Sequence, residues 1–122
     1  MKPKSGSFRF RKTERLRGRA IQLVLKRGRW VSGLRVRTAV FSSSNTGVPR
    51  LGVVISRAYG NAVHRNRFKR LVREVFRLRK SLLSPGVDLV VMPRKGAPMP
   101  ADFHEMEEDL IKLWTQAKAA HE

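Results

Sequence analysis

Cysteine is absent from the 122-residue sequence, which excludes disulfide bonds and thiolate metal sites and is compatible with a reducing compartment. Long apolar runs are also absent: the longest, such as residues 51–55, are far shorter than the roughly 20 residues that span a bilayer. Residues 1–7 lack the apolar core of a secretory signal. These absences predict a soluble cytoplasmic protein without a membrane partner.

Acidic residues are scarce, since nine Asp and Glu face 27 Lys and Arg and leave a formal net charge of +18. Five of the nine acids fall within residues 102–109, at the start of a predicted helix, where the helix dipole favours negative charge. The other four are scattered along the chain: Glu14, Glu74, Asp88 and Glu122. The three histidines show no metal-ligand spacing. A nuclease active in its own right needs such groups gathered around a metal or a phosphate, so we predict no catalytic residue and no metal site in this chain.

The excess of positive charge favours an acidic partner; charge alone admits RNA, DNA or an anionic membrane surface, of which we predict RNA. A hydrophobic content of 41% and a length of 122 residues predict one folded domain with one modest core. Residues 1–12 are basic and contain Pro3, Gly6 and two phenylalanines, which is typical of an arm. We therefore predict an arm over residues 1–12 and a single RNA-binding α/β domain over residues 13–122.

The most informative segment is a basic helix that begins after Gly60 and Asn61. Between His64 and Lys80 there are eight Lys or Arg and a single acid, Glu74. Asn61 is a suitable N-cap and Gly60 permits the preceding turn. Apolar residues recur at three- and four-residue steps, which predicts a buried helix face. They are Phe68, Leu71, Val72, Val75 and Phe76.

The opposite side of this helix is strongly cationic. At about 100° per residue, six polar side chains fall within an arc roughly 140° wide. They are Arg65, Asn66, Lys69, Arg70, Arg73 and Arg77. Like charges spaced by four residues repel, whereas a merely solvated helix face usually mixes both signs. The pattern therefore favours a nucleic-acid interface, with Arg67 and Glu74 on the flank of the arc.

The remaining elements follow from shorter patterns. Residues 13–27 predict a helix capped by Thr13 and ended by Gly28. Side chains that alternate between two faces predict strands over residues 34–41 and 50–56. A short run rich in β-branched residues predicts another strand over residues 87–92. A strand, a long helix and a strand form a βαβ unit, so the strands flanking the basic helix should be parallel. The last helix is predicted over residues 101–119.

Residues 60–76 resemble the signature helix of the bacterial ribonuclease P protein family, through the run Gly-Asn-Ala-Val-x-Arg-Asn-Arg-x-Lys-Arg-Leu-x-Arg-Glu. Gly28 after a first helix, the strand motif Val-Val-x-x-Arg at residues 90–94 and a closing amphipathic helix follow in the family's order. The resemblance implies an α+β fold, a small α/β sandwich of order α-β-β-β-α-β-α. It also implies a βαβ crossover that is left-handed in the family, with helices packed on the sheet.

In function, the resemblance implies the small subunit of a ribonucleoprotein. The RNA subunit would use bound Mg²⁺ to remove the 5′ leader of precursor tRNA, and the protein would bind both the ribonuclease P RNA and the leader. No obligate protein partner is implied. Carried over by position, the RNA-docking residues would be Arg65, Asn66, Arg67, Lys69, Arg70, Arg73 and Arg77.

The same resemblance implies a cleft for the leader between the sheet and the first helix. Its lining residues in this sequence would be Ile21, Leu25, Arg35, Val36, Arg37, Thr38, Ala39 and Val54. The family often has aromatic residues on the first helix and the following strand, where leader bases could stack. Ile21, Leu25 and Ala39 stand at those places here, which predicts weaker stacking and a larger share for apolar and phosphate contacts.

Other functions fit parts of the sequence. Composition alone fits a general basic RNA-binding or ribosome-associated protein without a role in tRNA processing. A metal nuclease is disfavoured by the scattered acids. A double-stranded DNA reader is disfavoured because the basic helix lacks a dimer or helix-turn-helix context.

Overall fold

The computed structural model describes residues 12–42 and 47–117, which form three α-helices and four strands. In chain order they are α1 (Gly18–Arg27), β1 (Arg29–Ser32), β2 (Val36–Ser42), β3 (Arg50–Val53), α2 (Ala62–Arg79), β4 (Val87–Pro93) and α3 (Phe103–Gln116). Short 3-10 turns occupy Lys12–Glu14, Arg57–Tyr59 and Lys80–Leu82. The predicted order α-β-β-β-α-β-α is confirmed. The predicted arm lies outside the described residues except for Lys12.

The four strands form one sheet in the order β1-β2-β4-β3. The β1–β2 and β2–β4 pairs are antiparallel, whereas β3 and β4 are parallel, with Val53 opposite Val91. Helix α2 connects the two parallel strands, so the predicted βαβ unit is confirmed. Strand β1 has only four residues, too few for alternation to identify it in the sequence. In the described ranges, no helix combines the length and apolarity needed to cross a membrane.

The main core lies between one face of the sheet and helices α2 and α3. From α2 it contains the fully buried Val72, Val75 and Phe76 together with Phe68, which confirms the predicted apolar face. Alternate residues of β2 and β4, such as Val36 and Leu89, cover the same core. The charged residues of α2 are thereby turned away from the sheet.

A smaller core lies on the other face of the sheet, under α1. Val24 of α1 is fully buried there against Ala39 and Val90. A Cβ atom on Gly52 would lie 3.0 Å from Cγ1 of Ile21, so the glycine lets α1 approach the sheet closely. This face carries some of the residues predicted for the leader cleft, among them Ile21 and Ala39.

The predicted start of the first helix at Thr13 is wrong, because α1 begins at Gly18. Residues before it run alongside β3: Arg15 pairs with Leu51 in a parallel bridge, and the Leu16 amide donates to the Leu51 carbonyl at 2.9 Å. Leu16 is therefore buried by the sheet and not by a helical stripe. Gly18 has a φ of +43°, a conformation that suits glycine at this change of direction.

Helix α3 begins at Phe103 with Asp102 as its N-cap, whose Oδ1 accepts from the Glu105 amide at 3.0 Å. Glu105 in turn accepts from the amide of Ala101, the residue before the N-cap, at 2.8 Å. Asp109 is buried and bonds Arg35 at 3.0 Å. The acidic segment therefore serves capping and ion pairing as well as the helix dipole.

Candidate nucleic-acid interface

Helix α2 begins with the cap that the sequence predicts. The Asn61 side chain accepts from the His64 amide at 3.1 Å, and the His64 ring nitrogen Nδ1 lies 3.0 Å from the same oxygen. Gly60 has a φ of +123°, and a Cβ atom there would lie 3.1 Å from Cβ of His64. Gly60 and Asn61 therefore fix where the helix starts and how its basic side is oriented.

A groove of about 460 Å³ runs along the basic side of α2; we call it the basic groove. It is lined by Arg15, Asn66, Lys69, Arg70, Arg73, Glu74 and Arg77. Five of the seven residues that the resemblance assigned to RNA docking are thus brought together here. Because Lys and Arg dominate the lining, the groove suits phosphate oxygens, which arginine can bind with two parallel N–H donors.

Arg15 belongs to this groove although sequence reasoning did not assign it to the site. It reaches α2 because the extended residues before α1 pair with β3. The preceding residue, Glu14, is buried and bonds Lys80 at the end of α2, with Oε2 at 2.9 Å and Oε1 at 3.1 Å from Nζ. No local pattern in the sequence signals this contact, because it joins segments more than 60 residues apart.

The electrostatics of the groove are dominated by repulsion between cations. Burial lowers the pKa of the Arg73 guanidinium from its ordinary value, and the positive charge of Arg15 lowers it further. Glu74 neutralises part of this positive charge, since it accepts a 2.6 Å hydrogen bond from Nε of Arg77. Repulsion of this kind is reduced when an anion binds, so the charge of the groove as well as its shape suits phosphate.

Two predicted docking residues of α2 do not line the groove. Arg67 donates from its guanidinium to the carbonyl of Ala101, on the side of α3. Arg65 is half-buried, and within the described part of the chain its Nε atom has no hydrogen-bond partner. RNA contact by either residue stays a prediction.

The sheet face under α1 contains several of the residues predicted for the leader cleft. Ile21, Leu25 and Val54 pack around the small core there, together with Ala39. Arg37 shares this face: its guanidinium carbon lies 4.4 Å from the centroid of a Trp30 ring, a cation–π contact.

Three residues predicted for the leader cleft lie elsewhere. Val36 is fully buried in the main core on the opposite face, and Thr38 follows it there by alternation, also fully buried. Arg35 is held by α3, with Nη1 3.0 Å from Asp109 and Nε 3.4 Å from Glu105. Since side chains alternate along β2, residues 36 and 38 cannot share a face with Arg37 and Ala39.

Three residues of this face were missed by the sequence analysis: Trp30, Phe41 and Met92, all partly buried under α1. Phe41 continues the alternation of Arg37 and Ala39, a signal that could have identified it. Trp30 lies on the short strand β1, and its Nε1 donates to the Leu25 carbonyl at 3.3 Å. The face therefore offers aromatic side chains after all, although at positions other than Ile21, Leu25 and Ala39.

Three of the scattered acids, Glu14, Glu74 and Asp88, lie within the described residues and are engaged in ion pairs. Besides the Glu14 and Glu74 contacts, Asp88 is buried and accepts two hydrogen bonds from Arg50, at 2.9 and 2.7 Å, which raise the pKa of Arg50. Over residues 12–42 and 47–117, no group of three His, Asp or Glu side chains could hold a metal ion. A larger groove of about 1370 Å³ runs over α3, but its lining balances Glu107, Glu108 and Asp109 against Arg79, Arg94 and Lys112, so it lacks the positive excess of the basic groove.

Comparisons with known proteins agree with this geometry. The family model described as Ribonuclease P matches residues 10–118. A ribonuclease P protein component from Desulforapulum autotrophicum is 42% identical over 109 residues, covering 89% of this chain and 92% of its own. The RNase P protein structure from Thermotoga maritima has a TM-score of 0.73 at 33% identity, covering 84% of this chain and 96% of that one. A Staphylococcus aureus RNase P protein structure has a TM-score of 0.79 at 28% identity, covering 90% of this chain and all of the other.

The matched region includes the capped basic helix, the sheet and α3, so the likeness extends over the whole described fold. The resemblance found in the sequence is thereby confirmed. This chain belongs to the ribonuclease P protein family.

Proposed function

We propose that this chain is the protein subunit of ribonuclease P, which binds the RNA subunit and supports Mg²⁺-dependent removal of the 5′ leader from precursor tRNA. The observation that carries the proposal is the basic groove on a helix whose sequence and cap match the family. The alternative, a general basic RNA-binding protein, accounts for the charge but not for the family match over 109 residues.

The basic groove would bind the phosphate backbone of the RNA subunit. Arg70 and Arg73 can each donate two parallel N–H groups to one phosphate, whereas Lys69 acts as a compact point charge. Asn66 can both donate and accept, so it suits a sugar or base edge beside the phosphates. Binding would relieve the repulsion among the groove's cations, which ties affinity to the charges that the fold brings together.

The hydrolytic chemistry would belong to the RNA subunit, whose bound Mg²⁺ activates water. The carboxylates nearest the groove are not a suitable ligand set, because Glu14 and Glu74 are held by Lys80 and Arg77. Mg²⁺ requires oxygen ligands in near-octahedral arrangement, and the described residues gather no such group. We therefore assign binding and positioning roles to this protein, and no metal ligand.

The leader would bind on the sheet face under α1. Trp30 is partly exposed there and can stack on a base, while Arg37 beside it can contact the following phosphate. Ile21 and Val54 add apolar surface. This arrangement separates the two RNA contacts, with the RNA subunit on α2 and the leader on the opposite side of the sheet.

Reconstitution tests the proposal directly. The protein is combined with a ribonuclease P RNA at low Mg²⁺ concentration and with a precursor tRNA that carries a leader, and cleavage is followed on a gel. We expect the protein to stimulate correct cleavage by the RNA. Absence of stimulation, with RNA binding retained, would favour the general RNA-binding protein. Cleavage by the protein alone that EDTA abolishes would instead indicate a metal nuclease.

A further inference from the structure

The segment before α1 is tied to the end of α2 by a buried ion pair. Glu14 is 5% exposed and bonds Nζ of Lys80 through both carboxylate oxygens. A buried pair of this kind needs good geometry to offset the loss of hydration, and two short hydrogen bonds supply it. The pair therefore fixes the segment at one defined place beside α2.

Two residues later, the backbone is fixed a second time. The Leu16 amide donates to the Leu51 carbonyl of β3 at 2.9 Å, and Leu16 itself is buried. Arg15 lies between these two attachments. The backbone of Arg15 is thereby fixed beside α2, and its exposed side chain lines the basic groove together with the α2 cations.

Holding Arg15 beside Arg73 opposes their mutual repulsion. Both side chains line the basic groove, and the pKa of Arg73 is lowered first by burial and further by the positive charge of Arg15. Without the attachments on either side, a flexible segment would move the like charge into solvent. The fold instead keeps both guanidiniums at one groove, an arrangement that becomes favourable once an anion lies between them.

We propose that Arg15 is a phosphate-binding residue of the RNA interface and that Glu14 is its positioning residue, acting through the ion pair with Lys80. Arg15 and Arg73 would bind phosphates of the RNA backbone from two sides of the basic groove. The inference rests on the proposed function, because the phosphate is taken to belong to the ribonuclease P RNA. It adds a segment outside the basic helix to the docking surface.

The first experiment measures the affinity of the full chain for a ribonuclease P RNA over a salt series. Arg15→Ala should weaken binding about tenfold, as expected for loss of a charge-assisted contact. It should also make the slope of log affinity against log salt concentration less steep, by the contribution of about one phosphate. Lys112→Ala, at an exposed position of α3, removes the same formal charge away from the basic groove and serves as the control. Equal affinities for these two variants would overturn the assignment of Arg15.

The second experiment separates positioning from bulk charge. Glu14→Gln raises the formal net charge from +18 to +19, so a purely electrostatic account predicts tighter binding. We expect weaker binding, because Arg15 loses its fixed place. In the Arg15→Ala background the same substitution should have no further effect on RNA affinity. Tighter binding by Glu14→Gln, or an equal effect in both backgrounds, contradicts the positioning role.

A charge swap distinguishes this role from a general loss of fold. Glu14→Lys combined with Lys80→Glu restores the pair without changing net charge, and it should recover most of the affinity that Glu14→Gln loses. Circular dichroism melts accompany each variant. Failure of the swap to recover affinity in a folded protein refutes the positioning role. Failure of the wild-type protein to bind the RNA would instead refute the proposed function itself.

Discussion

Arg70 and Phe68 stand two residues apart on α2 and face opposite surroundings. Arg70 is exposed and lines the basic groove, whereas Phe68 is 2% exposed in the main core. Arg70→Ala should weaken RNA binding and leave the melting temperature unchanged. Phe68→Ala should lower the free energy of unfolding by about 3–5 kcal/mol through the cavity it leaves. Melts and RNA titrations on both variants check this, and the reverse pattern would mean that the faces of α2 are wrongly assigned.

Trp30 allows a second prediction at the scale of the residue. Stacking of one base on an aromatic ring contributes about 1–3 kcal/mol, so Trp30→Ala should weaken binding of precursor tRNA by the reconstituted enzyme roughly tenfold or more. Binding of a tRNA without a leader should be unaffected. Trp30→Phe keeps an aromatic ring, so this variant should retain most of the preference for precursor tRNA over tRNA without a leader. An equal loss for both tRNAs would place Trp30 outside the leader contact.

At the scale of the element, the cap of α2 determines how the basic side is presented. The Asn61 side chain accepts from the His64 amide at 3.1 Å, and its loss leaves that donor without its protein acceptor. Asn61→Ala should therefore lower the free energy of unfolding by about 1 kcal/mol, measured by denaturant titration. Asn61→Ser keeps a capping oxygen and should be nearly neutral. If Asn61→Ala and Asn61→Ser lower the free energy of unfolding equally, the side-chain cap is not the source of the lost stability.

The elements also differ in how far the sequence predicts them. Helix α2 and its two faces were predicted because charge and apolar periodicity agree over 18 residues. The start of α1 was missed because Leu16 is buried by pairing with Leu51, a contact between distant segments that leaves no helical signal. The cleft was partly misassigned because Val36 and Thr38 were placed by resemblance, although alternation along β2 puts them on the face opposite Arg37.

For the whole molecule, the fold separates charge of the two signs. The basic groove lies along α2, while α3 and its N-cap together carry five of the nine acids, of which Asp109 and Glu107 pair with Arg35 and Arg79. These acids lie on the side of α3, so they do not neutralise the cations of the basic groove. The groove keeps a strong positive field, which favours fast association with RNA and one orientation of docking.

This field makes the salt dependence of binding the test for the molecule as a whole. If the groove and its neighbours neutralise about six phosphates, the log–log slope of RNA affinity against salt concentration should be roughly −4 to −5. The slope is measured by filter binding over a series of monovalent salt concentrations at fixed Mg²⁺. A variant with Arg70 and Arg73 both changed to Ala should give a less steep slope, reduced by the contribution of about two phosphates. Lys112→Ala should leave the slope nearly unchanged. A wild-type slope near zero is incompatible with docking through phosphates, because release of condensed counterions is unavoidable when cations replace them on the RNA backbone.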